Sequence, residues 1–351
     1  MKPALTTPDV SSSRRRQLPW FERYVNILGP VVMIVALCLV MAFVEPGFYR
    51  ISNLMIILQD ASIYMVLAMG MTLVITGRGI DLSIGAIAAL SAVVMALLIK
   101  DLGLNVFAGM LVAVLVGVAC GAANGFVITR VNVPDLIATL SMDLVYRGIA
   151  LVLAAGIVLS RFPEPIPFLG RGRIFDVFPF PALIGIGTIG VGLVLYRFSS
   201  LGRYAIAIGG NTESAVLAGI DVARHKLYQY MLMGGLAGFA GIMLTGRLNA
   251  IQATSGQGLT LHTIAAVVVG GTSLFGGRGS MVGSLVGVLL LSMVINALVN
   301  LRLDFFWQQV AAGIIIIVSV GFYSSLQEGG GTLGGWFRKL RRNKTGSTEP
   351  S

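Results

Sequence analysis

Ten apolar stretches, separated by short polar or glycine-rich segments, make up most of the chain. They fall near 27–44, 54–76, 82–99, 105–128, 136–155, 180–197, 227–246, 260–275, 280–300 and 304–324. About 20 helical residues at 1.5 Å each cross a hydrocarbon core about 30 Å thick. The pattern therefore predicts an all-α polytopic membrane protein with about ten transmembrane helices embedded in the lipid bilayer. The eighth stretch is short and reads as a broken or re-entrant segment. Residues 1–24 are polar and Ser/Arg-rich, and 327–351 run Gly-rich, then basic, then polar. The organisation expected is a basic N-terminal segment (1–24), a membrane domain (25–326) and a C-terminal tail (327–351).

Charge sharpens this picture. Charged residues are 11% of the chain and apolar ones 56%, whereas a soluble domain carries about a quarter charged residues. The net charge of +10 sits largely at the two ends, at Arg14–Arg16 and at Arg338, Lys339, Arg341, Arg342 and Lys344. Basic ends around an oily body set membrane orientation and do not point to a nucleic-acid partner. With both termini cytoplasmic, 17 Lys and Arg fall on the inner side and 7 on the outer, and Arg147 stays within a span. The outer loop with Arg161, Arg171 and Arg173 runs against the bias. Cys38 and Cys120 lie in apolar runs and form no metal or disulfide pattern. The basic N-terminus is too long, and lacks the cleavage site, for a secretory signal.

Catalytic signatures are missing. "GIGTIG" at Gly185–Gly190 matches a dinucleotide fingerprint but lies in mid-span with no strand before it. No phosphate-binding P-loop, zinc-protease motif or serine elbow occurs, and His225 and His262 are far apart. No cofactor, metal or catalytic residue is expected, and the chain reads as a non-catalytic transport subunit. Glycines at 117, 121 and 125, and at 234, 238 and 241, sit at spacings that let helix backbones approach closely.

Two connections stand out. The stretch from Tyr196 to Tyr230 is the longest polar one in the second half, on the expected cytoplasmic side. Within it Asn211 is placed to cap a short helix, "TESAVLAGI", with Glu213 in its first turn and Gly219 at its end. In "TGRGIDLSIG", Gly77 and Gly79 predict a reversal between the second and third spans. Asp81 is placed to cap the third helix through the N–H groups near Ser83 and Ile84, with Arg78 a possible partner.

Polar residues inside the spans are the translocation-path candidates. Asp143 and Arg147 are four apart, hence on one helix face. They read either as a path-facing pair or as an ion pair locking the fifth span to a neighbour. Asn124 and Asn296 suit hydrogen bonds between helices as well as a path. His262 lies at the outer start of the eighth segment, where it could meet a solute or bond locally.

Five stretches in order carry a resemblance: "GMTLVITGRGIDLSIGA", "GAANGFVITRVNVPDLIATL", "YRGIAL", "LGRYAIAIGGNTESAVLAGIDV" and "IAAVVVGGTSLFGGRGS". Together, over about 27–324, they resemble the permease subunit of sugar-type ABC importers of the ribose, xylose and arabinose group. That resemblance implies a fold similar to the vitamin B12 permease, a homo- or heterodimer with a second permease chain, and a place in the bacterial inner membrane. It implies a cytoplasmic ABC ATPase subunit and a periplasmic solute-binding protein as partners. It also implies that Asn211, Thr212, Glu213, Ser214, Ala215, Val216, Leu217, Ala218, Gly219 and Ile220 form the coupling helix. The cargo implied is a monosaccharide or sugar-like solute, with a nucleoside or sugar-like signal as the alternative and a stand-alone secondary transporter as the rival class. The chain departs from the family pattern at Arg78, at Asp135 and Leu136 after "VP", at Asp143, and at Thr260 and His262, where acids are usual.

Overall fold

The computed structural model describes residues 20–304 together with 307, 310, 313 and 314. Nine helices among these correspond to the first nine apolar stretches. They are α1 (Trp20–Val44), α2 (Ile51–Thr76), α3 (Ile84–Lys100), α4 (Val106–Arg130), α5 (Asp135–Leu153), α7 (Phe180–Phe198), α10 (Val222–Leu248), α11 (Leu259–Val269) and α12 (Met281–Asn300). Six of the nine have at least 18 residues and the hydropathy of a membrane span. The tenth stretch, 304–324, and the tail from 327 lie essentially outside the described residues. α1 begins at Trp20, ahead of the boundary expected at 24.

Three short helices complete the set: α6 (Ile166–Arg171), α8 (Ser200–Gly210) and α9 (Thr212–Leu217). The described residues are all-α apart from two minimal antiparallel pairs. β1 (Leu159–Ser160) pairs with β4 (Ala250–Ile251), and β2 (Arg173–Ile174) with β3 (Phe178–Pro179).

α2 is the central helix. It is apolar on all sides and is buried almost continuously from Ala61 to Thr76, as expected of a helix surrounded by others. α7, α10, α11 and α12 pack around it, and α3 joins the bundle through α10, with α4 and α5 against α3. The tightest pairing is α4 with α10, and its cause is glycine. A Cβ on Gly117 would strike the carbonyl of Gly234, and one on Gly234 would strike the carbonyl of Gly117. The backbones therefore touch directly, where even alanine would force them apart. On the outer faces of α4, α5 and α7 the large residues stay apolar and exposed, among them Phe107, Leu144, Leu183 and Val194. Such a surface suits lipid and not water.

The two ends of the bundle collect the connections that the alternation of spans assigns to each side. At one end, Gly277 N–H bonds the Thr76 carbonyl at 2.9 Å, and Lys226 reaches Asp135 and the Arg78 carbonyl. At the other, Lys100 donates to the Ser160 carbonyl, β1 pairs with β4, and the Asn249 side chain accepts from Phe162 N–H at 3.1 Å. α11 has only 11 residues because 270–280 turns in a glycine-rich loop, with Gly271, Gly276 and Gly277 at positive φ. The short eighth segment is thus an interrupted one. The residues before it, 252–258, enter the bundle, and Ala253 is buried.

Candidate functional site

Polar groups inside the bundle form three separate lattices. The first surrounds the start of α3. Asp81 lies in the connection between α2 and α3 and is completely buried. Its Oδ1 accepts from Ser83 N–H at 2.9 Å and Ser83 Oγ–H at 2.6 Å, and Ser83 occupies the cap position of α3. Asp81 thus accepts from the Ser83 N–H as expected, while the cap position itself falls on Ser83, which makes no side-chain cap bond. Ser83 Oγ in turn accepts from Asn124 Nδ2 at 2.8 Å, and Asn124 Oδ1 accepts from Tyr146 O–H at 2.9 Å. Burial pushes the Asp81 carboxyl above its ordinary range, against hydrogen bonds from Ser83 that pull it down. Oδ2 has no partner among the described residues. Arg78 does not pair with Asp81. It sits at φ 62° on the exposed side of the turn, while Asp81 turns inward.

The second lattice lies midway along α5. Arg147 grips Asp143 with two contacts, Nη2 to Oδ1 at 3.2 Å and Nε to Oδ2 at 3.4 Å. Its Nη1 reaches the carbonyl of Ala253 at 3.3 Å. The pair thus bridges α5 to the inward-dipping segment before α11, and its side chains keep 17% and 19% exposure. That segment leads into the first turn of α11, where the Thr260 hydroxyl donates to the Leu82 carbonyl and accepts from Gly85 N–H, each at 3.3 Å.

His262 stands in the first turn of α11. It lies beside Tyr64, near the midpoint of α2, with ring centroids 5.9 Å apart. It also lines a small cavity with Ala266, Val288, Leu291 and Ser292. Its Nδ1 pairs locally with the Gly258 carbonyl at 2.7 Å. Of the two roles expected for His262, this local bond is the one it makes here. The third lattice is away from these. Asn296 exchanges two hydrogen bonds with Asn53, at 2.9 and 3.0 Å, and Asn300 joins them. Asn124 and Asn296 are both engaged in bonds between helices, and they lie in different lattices.

The second candidate region is the connection from α7 to α10. Two helices fill it where one was expected. A Cβ on Gly209, at the end of α8, would strike the Thr76 carbonyl and Gly277 N–H. α8 therefore seats backbone-on-backbone against the α2–α3 and α11–α12 connections. Asn211 closes α8 and opens α9, its Oδ1 accepting from Ser214 N–H at 2.8 Å. α9 ends at Leu217, earlier than the expected 220. Gly219 N–H bonds Val216 and Ile220 N–H bonds Ala215, with Gly219 at φ 82°, a glycine-dependent helix stop. Leu217 is 89% exposed and Val216 56%, with Glu213, Ser214, Ala218 and Gly219 also on the surface. Ala215 faces inward, and Thr212 donates to the Ile208 carbonyl at 2.9 Å.

Sequence reading missed Tyr146, Tyr64, Asn53 and Ala253 and the part played by the Ser83 hydroxyl, which complete these lattices, and the Asp135–Lys226 pair at 2.8 Å. Tyr146 adjoins Arg147 in "YRG", and Asp135 stands out as a departure from the family pattern, so those two carried a signal. A backbone carbonyl such as that of Ala253 carries none.

Residues 53–320 match the family described as "Branched-chain amino acid transport system / permease component". The chain is 36% identical to "Ribose import permease protein RbsC" of Escherichia coli (strain K12) over 321 residues, covering 90% of this chain and 98% of the relative. The chain belongs to the permease family of sugar-type ABC importers. This permease is also 37% identical to the RbsC of Bacillus subtilis (strain 168), over 86% of this chain and 93% of that one. It is 31% identical to "Autoinducer 2 import system permease protein LsrC" of Yersinia enterocolitica, over 82% and 79%. No solved structure matches it.

Proposed function

We propose that this permease is the membrane-spanning subunit of an ATP-driven importer for a monosaccharide. It would work by alternating access with a cytoplasmic ABC ATPase, a periplasmic solute-binding protein and a second permease chain, in the inner membrane with both termini cytoplasmic. The observation that carries the reading is the 36% identity to a ribose import permease over nearly the whole of both chains. A fold of about ten spans, similar to the vitamin B12 permease, belongs to the same reading.

α9 is the coupling element of this scheme. The support is its exposed apolar tip at Leu217 and Val216, on a base fixed to two inter-span connections. ATP binding and hydrolysis would move α9, and the bundle would open to one side and then the other. Asp143, Arg147 and His262 are the groups proposed to meet solute. Each lies inside the bundle where the interrupted segment 252–269 meets α5 and α2. Asn124 and Asn296 are assigned to holding helices together, since their bonds run between elements, and Asp81 to fixing the start of α3 through Ser83. A sugar-like signal is the second reading, favoured by the 31% identity to an autoinducer 2 permease.

The test is uptake of labelled ribose in cells that carry the chain with its ATPase, against cells whose ATPase cannot hydrolyse ATP. Uptake only in the first supports the importer. Equal uptake in both refutes it.

A further inference from the structure

We propose that the Asp135–Lys226 ion pair is the link that passes movement of α9 into α5, the helix bearing Asp143 and Arg147. The inference rests on the importer reading above and adds a positioning role for two residues outside the sites already named.

The chain from α9 to Lys226 is short. α9 ends at Leu217, and Asp221 opens α10 by accepting from Arg224 N–H at 2.9 Å. Lys226 stands in the second turn of α10. Displacement of α9 is therefore felt at Lys226 through one tight turn, with Asn211 and Asp221 holding the helix starts on either side. From Lys226, Nζ reaches Asp135 Oδ2 at 2.8 Å, and both side chains are mostly covered, at 18% and 17% exposure. Asp135 is the first residue of α5, after Pro134 at φ −54°. It is thus fixed to the helix, not to a slack loop.

α5 lacks a broad packed face on α10. It lies along α3 and α4, so the ion pair is a direct tie between α5 and the element that follows α9. Arg147 stands 12 residues further along α5, about 18 Å at the helical rise. There it holds the Ala253 carbonyl, in the segment that follows the other end of α10. α5 is thus tied to the chain on both flanks of α10, once at Asp135 and once at Arg147. A rigid helix pulled at its first residue shifts along its length. The Arg147–Ala253 contact, beside His262 and the interrupted segment, is where that shift arrives.

The experiment uses the assembled transporter in liposomes and reads labelled ribose taken up per ATP hydrolysed. Lys226→Met and Asp135→Asn are expected to keep ATPase assembly and hydrolysis. They should lower uptake per ATP by about fivefold or more, the lower edge of ordinary coupling energies. The reversed pair, Asp135→Lys with Lys226→Asp, is expected to restore the ratio. A merely structural pair would lower thermal stability and total uptake together and leave uptake per ATP unchanged. That outcome in the single variants overturns the proposal. If a single variant fails to assemble, the reversed pair decides: restored coupling supports the link, and an assembled but uncoupled double variant overturns it. Absence of ATP-driven uptake in the wild type would instead defeat the importer reading itself, under which the link was drawn.

Discussion

Replacing Asn211 by alanine removes the carboxamide oxygen that accepts from Ser214 N–H at 2.8 Å. The Ser214 N–H then has only solvent to donate to at this exposed position. Loss of such a cap costs about 0.5–2 kcal/mol. Because 1.4 kcal/mol is a tenfold change in an equilibrium constant, α9 should open about two- to thirtyfold more often. A helix of six residues has almost no intrinsic stability to set against this. The bundle should stay intact, since Asn211 is exposed and outside the core. Hydrogen exchange of residues 212–217 is the direct assay, with co-purification of the ATPase alongside. Asn211→Ala should speed exchange there and weaken co-purification, while Asn211→Ser, an equally good cap, should do neither. If the alanine variant left both measurements unchanged, or the serine variant damaged them equally, the capped helix would not be the docking element.

Gly234→Val should abolish stable folding, because its side chain would meet the Gly117 carbonyl, whereas Gly187→Ala, with no atom within 4 Å of the added carbon, should be neutral or slightly stabilising; detergent melting curves compare them. Asp143→Asn should leave the Arg147 charge poorly paired and destabilise the fold by about 1–3 kcal/mol, with Asp143→Glu closer to wild type, again read by melting. Burial holds the Asp81 carboxyl above its unfolded value of about 3.9. A group raised in this way contributes stability that is complete below the unfolded pKa and is lost as pH rises through the folded pKa. Asp81→Asn, which mimics the neutral acid, should therefore flatten that dependence in melting curves taken across the acid range. A single cysteine placed at Leu217, 89% exposed, should crosslink to the ATPase, whereas one at the inward-facing Ala215 should react poorly.

The membrane helices were legible because each apolar run is long and bounded by glycine, proline or charge. Nine runs found their helices, with ends shifted by a few residues. The interrupted segment was legible only in length. That 252–258 enters the bundle depends on Arg147 holding the Ala253 carbonyl and on Thr260 meeting Leu82, contacts between residues far apart in the chain. The approach of His262 to Tyr64 was hidden for the same reason. α8 escaped notice because "SLGRYAIAIGG" reads as a polar connection, and its glycines look like breakers until Gly209 is seen against Thr76. Asn211 as a cap was readable, since a cap is a local device. The direction of Ala215 was not, because a helix of six residues offers too little periodicity to show which face is covered.

On the importer reading, this chain moves sugar only when a separate ATPase turns over. The most direct measurement places the purified permease with its ATPase and binding protein in liposomes, and follows labelled ribose with ATP, without ATP, and with an ATPase unable to hydrolyse it. Accumulation in the first condition alone is the predicted result. Equal ribose entry in all three would contradict it and point to a stand-alone transporter or channel.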